Sequence, residues 1–245
     1  MKILVCVSQT PDTTSKIQFA NSNTELDKAG VQFIMNPYDE WYALVKALEL
    51  KEANAGSTVT LLHVGAAANE ATIRKGLAIG ADDAIRVDAE ASSAYFVARQ
   101  IAANAVGFDA VFLGKETIDY NGSEVAAMVA ELLDLPFVSY GSNMEVSGNT
   151  ATIERDIEGG KETVEVDFPF VLSCAKGMAE QRIPNMQGIM MSKRKPLKVV
   201  APIASDNLAS VQSYSLPAAK AGVKMIAADN VEELVKLLHN EAKVI

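Results

Sequence analysis

Hydrophobic and polar positions alternate in blocks along the first 140 residues. Ile3 to Val7 is an unbroken apolar run, as a strand buried on both faces requires. Residues 16–35 form a weakly patterned polar stretch, read as a hairpin, that ends in Val31-Gln32-Phe33-Ile34-Met35; Asn36-Pro37 then breaks the chain. From about Tyr38 the period becomes helical. Trp41, Leu44, Val45 and Leu48 share one face, Glu40, Lys46 and Glu49 are expected to point elsewhere, and Gly56 ends the segment. The pattern then predicts a strand over Val59–Val64, a helix over Asn69–Gly80 and a strand over Ala84–Val87. A helix over Ala94–Val106 and a strand over Ala110–Leu113, ending at Gly114, follow. A helix over Ser123–Leu133 is closed by Leu135-Pro136, and Phe137–Tyr140 begins another strand. Strands separated by single helices predict right-handed crossovers and an α/β fold: a three-layer, doubly wound, mostly parallel sheet.

After residue 140 the pattern changes. Thr150–Ile157 and Thr163–Phe168 flank Glu158-Gly159-Gly160-Lys161 and read as an added antiparallel hairpin; Phe170–Cys174 is a further strand. Residues 176–196 are rich in Met, Gln and basic residues and lack a period, which in a compact chain marks a functional or disordered loop. Residues 197–228 also read as irregular. Asn230–Ala242 is a final amphipathic helix with Val231, Leu234, Val235 and Leu238 on one face; Asp229 and Glu232 have capping-box spacing.

Composition narrows the function classes. The 245 residues amount to about 1.6 average domains. Apolar residues make up 49% and charged residues 22%, an ordinary globular balance. The net charge of −9 disfavours nucleic acid and anionic membranes as generic partners. Two cysteines, Cys6 and Cys174, lie in apolar segments and read as buried thiols of a reducing, cytoplasmic compartment. With only His63 and His239, a multi-His metal site is excluded. No apolar run is long enough for a transmembrane helix, and Met1–Val7 reads as a strand, not a signal peptide.

In open parallel sheets ligands bind beyond the carboxyl ends of the strands. Here those ends are Ser8-Gln9-Thr10, Gly65-Ala66-Ala67-Ala68 and Gly114-Lys115-Glu116-Thr117. The third leads through Asp119-Tyr120-Asn121-Gly122 to a helix start at Ser123, where free N–H groups suit a phosphate; the plainer alternative is a βα loop with Ser123 as N-cap. The Gly-x-Gly-x-x-Gly, P-loop and Gly-x-Ser-x-Gly signatures are missing, which disfavours a dehydrogenase, a P-loop ATPase and an α/β hydrolase.

Several stretches together resemble the electron transfer flavoprotein β-subunit family, over nearly the whole chain. They are Asn36-Pro37-Tyr38-Asp39-Glu40, Glu70-x-Thr72-Ile73-Arg74, Leu77-Ala78-Ile79-Gly80-Ala81-Asp82 and Gly114-Lys115-Glu116-Thr117-Ile118-Asp119. The most specific runs from Ile153 through Glu158-Gly159-Gly160-Lys161 to Val164 and continues to Pro169-Phe170-Val171-Leu172-Ser173. Gln181-Arg182-Ile183-Pro184-Asn185-Met186 to Pro196 is similar to the family's recognition loop.

The resemblance implies a fold of the adenine-nucleotide-binding type and a heterodimer. An α subunit would hold most of the redox-active FAD; this chain would supply one wall and a structural AMP site. In a bifurcating group a second FAD replaces AMP. Electrons would pass from flavoprotein dehydrogenases to a downstream acceptor, with no catalytic side chain in this subunit. A stand-alone adenine-nucleotide-binding regulatory module is the reading from another class. By resemblance, residues 1–196 form the nucleotide-binding-like domain, with its recognition loop at about 176–196. Residues 197–245 form an arm and helix packing on the partner.

Residue by residue, the resemblance places adenine and phosphate contacts on Cys6, Val7, Asn36, Asp39, Val64, Gly65 and the loop from Gly114 to Val125, which includes Asp119, Asn121, Gly122, Ser123 and Glu124. Asn36 also reads as a turn residue before Pro37. Tyr38 is expected at the flavin-facing wall, or packed on the sheet at a helix start. The phosphate loop departs from the family pattern: Val125 stands where a hydroxyl is usual, Glu124 adds an anion, and Ser8-Gln9 replaces a basic pair. An altered, weaker or empty nucleotide site is expected. Met186 stands where the family has a pocket-plugging Leu, with Ile189 and Met190 beside it; the alternative is an ordinary core Met. Lys193, Arg194 and Lys195 read as steering charges for an acidic partner or as solvated surface.

Overall fold

The computed structural model describes residues 1–220 and 222–245. β1 (Lys2–Cys6) is the middle of the fold, and its unbroken apolar run is explained by the period of two. Ile3 and Val5 face one hydrophobic core, Leu4 and Cys6 the other. β2 (Gln9–Pro11), β3 (Phe19–Ala20), β4 (Glu25–Leu26) and β5 (Phe33–Met35) form two small antiparallel pairs, β2 with β5 and β3 with β4. The expected hairpin over 16–35 is thus two nested ones.

α1 (Asp39–Ala53), β6 (Thr58–Val64), α2 (Glu70–Ile79), β7 (Asp83–Val87), α3 (Ala94–Ala105), β8 (Ala110–Gly114) and α4 (Val125–Leu133) then alternate. α1 and α2 cover one face through Leu44, Leu48, Ile73 and Leu77; α3 and α4 cover the other through Ala98, Ile101, Val129 and Ala130. These are the three expected layers.

β9 (Phe137–Ser147), β10 (Thr150–Ile157), β11 (Gly160–Asp167) and β12 (Phe170–Cys174) extend the sheet. Among the described residues nine strands form it, in the order β11-β10-β9-β12-β8-β1-β6-β7-β13, where β13 is Leu197–Val200. Pairing is parallel from β9 to β13 and antiparallel only in the β9-β10-β11 meander.

Four expectations are corrected. Residues 176–196 contain a short helix, α5 (Met186–Ser192), capped by the Asn185 side chain, which accepts from the Gly188 N–H at 2.7 Å. Residues 197–228 are not irregular throughout, because β13 pairs with β7 at the sheet edge. The first helix residue of α4 is Val125, with Glu124 as N-cap, so Ser123 remains in the loop. The last helix, α6 (Val231–Lys236), is capped by Asn230 and not by Asp229, and continues as a π-helical turn over Leu237–Ala242. Val231, Leu234 and Val235 of this segment are exposed.

Between β13 and α6 the arm crosses the body. Gln100 of α3, itself buried, clasps Ile203 by two hydrogen bonds of 2.8 and 3.0 Å. Farther on, the Tyr214 N–H donates to the Asn23 carbonyl at 2.7 Å, and its ring stacks on Phe19 with centroids 5.0 Å apart.

Candidate functional site

From β1 the chain first moves to β6 and β7 on one side, then returns to β8 on the other. A crevice opens where the order reverses, at the carboxyl ends of β1 and β8. A cleft of about 630 Å³ lies there. Of the residues expected to hold a cofactor, Cys6, Val7, Val64, Gly114, Asp119, Gly122, Ser123, Glu124 and Val125 line it. Gly114 is required by packing: a Cβ there would sit 2.9 Å from the Glu40 backbone nitrogen. The close approach seats the start of α1 against the end of β8.

The other expected residues stand outside the lining. Asn36 is fully buried and clamps the loop after β8. Its amide donates to the Glu116 carbonyl at 3.0 Å, and its oxygen accepts from the Ile118 N–H at 3.0 Å. Tyr38 is exposed at the head of α1, with a positive φ of 64°, and so is not packed on the sheet. Asp39 is buried under that helix start, and burial raises its carboxyl while Lys115 opposes the shift. Gly65 uses its own backbone inside the fold, its N–H donating to Val87 and its carbonyl accepting from Arg86. Asn121 turns the loop at φ 56°, its N–H donating to the Thr117 carbonyl at 3.0 Å.

Glu40 corrects the reading of α1, for it is buried and faces the cleft. It lies four residues before Leu44 and eight before Leu48, so the helical period puts it on the inward face. Ser8 donates to it twice, by N–H and hydroxyl, both at 2.6 Å. Burial pushes its pKa up to about 8, against the opposing hydrogen bonds from Ser8 and Asn36, with the Asp119 charge adding to the rise. Burial also raises the Cys6 thiol, with the Glu40 charge adding. His63 is held neutral by burial; its Nδ1 meets the Val7 carbonyl at 2.8 Å and its Nε2 the Asn69 amide at 2.9 Å. Neither Cys6 nor His63 is poised as a nucleophile or base.

The cleft lining is short of cations. Its acidic lining residues are Glu116, Asp119, Glu124 and Glu40, the last favoured in its neutral form by burial, with no Lys or Arg among the described residues that line it. Between Thr117 and Gly122 most loop N–H groups are already taken: Thr117 by Gly122, Ile118 by Asn36, Tyr120 by Asp119, Asn121 by Thr117 and Gly122 by the Thr117 hydroxyl; those from Ser123 to Ala126 at the start of α4 are not among them. The residues missed at sequence level include Ser92 and Ser93 before α3, and Ser210 and Tyr214 of the arm. The arm residues are brought in by tertiary structure, and no local signal marks them. Among the described residues no three His, Cys, Asp or Glu side chains gather to hold a metal ion.

A second feature stands on another side of α2. α5 packs on it so closely that a Cβ at Gly188 would lie 2.4 Å from the Ala78 carbonyl oxygen. Before α5, Arg182 forms two hydrogen bonds to Glu52, at 2.6 and 3.0 Å, and its carbonyl accepts from the Trp41 indole at 3.0 Å. After α5, Arg74 donates to the Ser192 and Lys195 carbonyls at 2.9 and 2.8 Å. Lys195 donates back to the Leu77 and Ala81 carbonyls at the end of α2. The Lys195 ammonium is thus turned inward onto the end of α2, unlike the solvent-facing charge expected. Lys193 and Arg194 are exposed. So are Met186 (73%), Met190 (68%) and Ile189 (41%), which corrects the core-Met alternative.

Comparison with known proteins decides the family. The electron transfer flavoprotein domain model matches residues 24–205, most of the chain. The chain belongs to the electron transfer flavoprotein family. Over its full length it is 34% identical to the electron transfer flavoprotein subunit beta of Syntrophomonas wolfei, covering 98% of that protein. It is 33% identical to the same subunit of Bacillus subtilis, with both chains fully covered. It is also 34% identical to the acryloyl-CoA reductase electron transfer subunit gamma of Anaerotignum propionicum, over 82% of this chain and 77% of that one. Membership sets its role as electron transfer. Among the described residues no helix is long and apolar enough to cross a membrane.

Proposed function

We propose that the chain is the β-type half of a heterodimer with an α-type subunit. In that complex it walls a flavin site and docks the flavoprotein dehydrogenases that supply electrons. The bound FAD, held mainly by the α-type subunit, supplies the redox chemistry. This chain's own residues shape and dock. The observation that carries the reading is the ridge at α5: an apolar Met-rich surface held out by polar clamps at both ends. An exposed Met cluster on a fixed support suits a surface that must meet partners of differing shape. The exposed Tyr38 is the flavin-facing candidate, and the exposed face of α6 is the candidate for packing on the α-type subunit.

The 1–196 body and the 197–245 arm are read as a functional division, with β13 the stitch between them. Two buried free cysteines, Cys6 and Cys174, support a reducing, cytoplasmic setting. The stand-alone regulatory module is disfavoured by the ridge, which such a module does not use. The second-FAD alternative requires a pyrophosphate in a cleft whose lining carries carboxylates. Co-expression with the cognate α-type subunit tests the proposal. A one-to-one complex with flavin absorbance is expected; a flavin-free monomer would refute it.

A further inference from the structure

The sulfur of this chain is unevenly placed. Of the nine methionines, Met35, Met144 and Met178 are buried in the core, whereas Met186, Met190 and Met191 are exposed on α5. Met225 of the arm is exposed as well. Both cysteines are buried, and burial raises their thiols, which keeps Cys6 and Cys174 protonated. A thiolate within reach of solvent is the sulfur that oxidants ordinarily take first, while a buried thiol is inert. The sulfur offered to solvent at the ridge is therefore thioether.

Met186 and Met190 stand four residues apart on α5, so the helical period sets their side chains next to each other. The support beneath them is fixed. Asn185 caps the helix through the Gly188 N–H, and the Arg182–Glu52 and Arg74–Ser192 contacts hold its flanks. Between the two methionines, Gly188 lies against the Ala78 carbonyl so closely that even a methyl group there would clash. A thioether whose chemistry changes finds no room on that side and stays at the surface.

We propose that Met186 and Met190 are an oxidation site, at which a peroxide converts the thioethers to sulfoxides and so weakens docking of the electron-donating partner. The sulfur lone pair attacks one peroxide oxygen; the O–O bond breaks and an S–O bond forms. Sulfur is oxidised by two electrons, and with hydrogen peroxide the second oxygen leaves as water, taking the proton of the transferred one. The ridge then carries a polar, hydrogen-bond-accepting oxygen where it had an apolar tip. Pressed against an apolar partner surface, that oxygen is desolvated without a donor, which opposes docking. A methionine sulfoxide reductase reverses the change with dithiol electrons, releasing the oxygen as water. The site stands on exposure and geometry; its effect rests on the reading of the ridge as a docking surface.

The test treats the purified heterodimer with limiting hydrogen peroxide and removes the excess. Peptide mass spectrometry should find one added oxygen at Met186 and at Met190 well before any at Met35, Met144 or Met178. Reduction of the flavin by an untreated cognate dehydrogenase, followed by stopped flow, should slow about tenfold. It should recover after treatment with methionine sulfoxide reductase. The double variant Met186→Leu, Met190→Leu keeps the exposed Met191 and Met225. Whatever the starting rate of that variant, peroxide should not change it. Oxidation that reaches the core methionines first overturns the proposal, as does a peroxide-dependent loss of rate that persists in the double variant. Sulfoxide at both positions with an unchanged rate overturns it too. Met186→Ala then tells the two ideas apart: if it slows reduction, docking at the ridge stands and only the switch fails; if it does not, the docking reading fails as well.

Discussion

The cleft and the α5 ridge solve opposite problems with the same tool. In both, side-chain hydrogen bonds satisfy backbone groups that regular structure leaves free. At the cleft, Asn36 and Thr117 tie up the loop after β8 and leave a hollow whose charged groups are acidic. At the ridge, Arg74 and Lys195 tie the ends of α5 and α2 together and leave apolar side chains projecting. The contrast teaches that basic residues in this acidic chain are partly structural. Two of the cations nearest the ridge, Arg74 and Lys195, serve its scaffold; Lys193 and Arg194 are the ones left to solvent.

Four perturbations sharpen this contrast. The largest effect is expected from Asn36→Ala, which leaves the Glu116 carbonyl and Ile118 N–H without their partner, at about 1–3 kcal/mol for each buried group. Denaturant unfolding of the heterodimer should show the loss, while electron delivery through the ridge per folded molecule stays unchanged. Gly188→Ala should do the reverse. Its methyl meets the Ala78 carbonyl, an overpacking cost of about 1–3 kcal/mol concentrated at α5. Proteolysis around residues 182–195 should accelerate, and reduction of the heterodimer by a cognate dehydrogenase should slow, with the cleft unaffected.

The third perturbation is pH. Burial raises Glu40 to about 8, so the folded protein holds this proton more tightly than the unfolded chain does. That contribution is fully present below the unfolded carboxyl pKa and is lost as pH rises through about 8. Unfolding midpoints should decline over that window, and Glu40→Gln should flatten the decline. An identical slope in the variant would place the titration elsewhere. The smallest effect is expected at Lys193 and Arg194. Replacing both by Gln should leave stability within about 0.5 kcal/mol. It should slow dehydrogenase association modestly at low salt, with the difference vanishing at high salt.

Most of the fold was legible because its strands and helices are long enough for their periods to show. Ile3 to Val7 and Trp41 to Leu48 are examples. The failures have physical reasons. β13 has four residues between Pro196 and Pro202 and gains its identity only by pairing with β7. α5 has seven residues and a glycine, which dilute any helical pattern. Glu40 was legible in principle from its spacing to Leu44, but a charged residue was assigned to solvent by default. The arm's share of the cleft was not legible, since Ser210 and Tyr214 reach it through contacts with α3 and the β3–β4 pair. At the ridge, the residue type at 186 and the neighbouring charges were readable. Which cation faces inward was not, because that depends on where the helix ends fall.

The central claim is that the ridge, through Met186, is where electrons are received from a partner. The direct measurement is the stopped-flow rate at which a cognate flavoprotein dehydrogenase reduces the flavin of the heterodimer, for the parent protein and for Met186→Ala. Met186 is 73% exposed, so its truncation should leave folding and flavin content intact. The rate should fall about tenfold or more, the loss expected when a central apolar anchor worth roughly 1–2 kcal/mol is removed. An unchanged rate with unchanged flavin content would contradict the account.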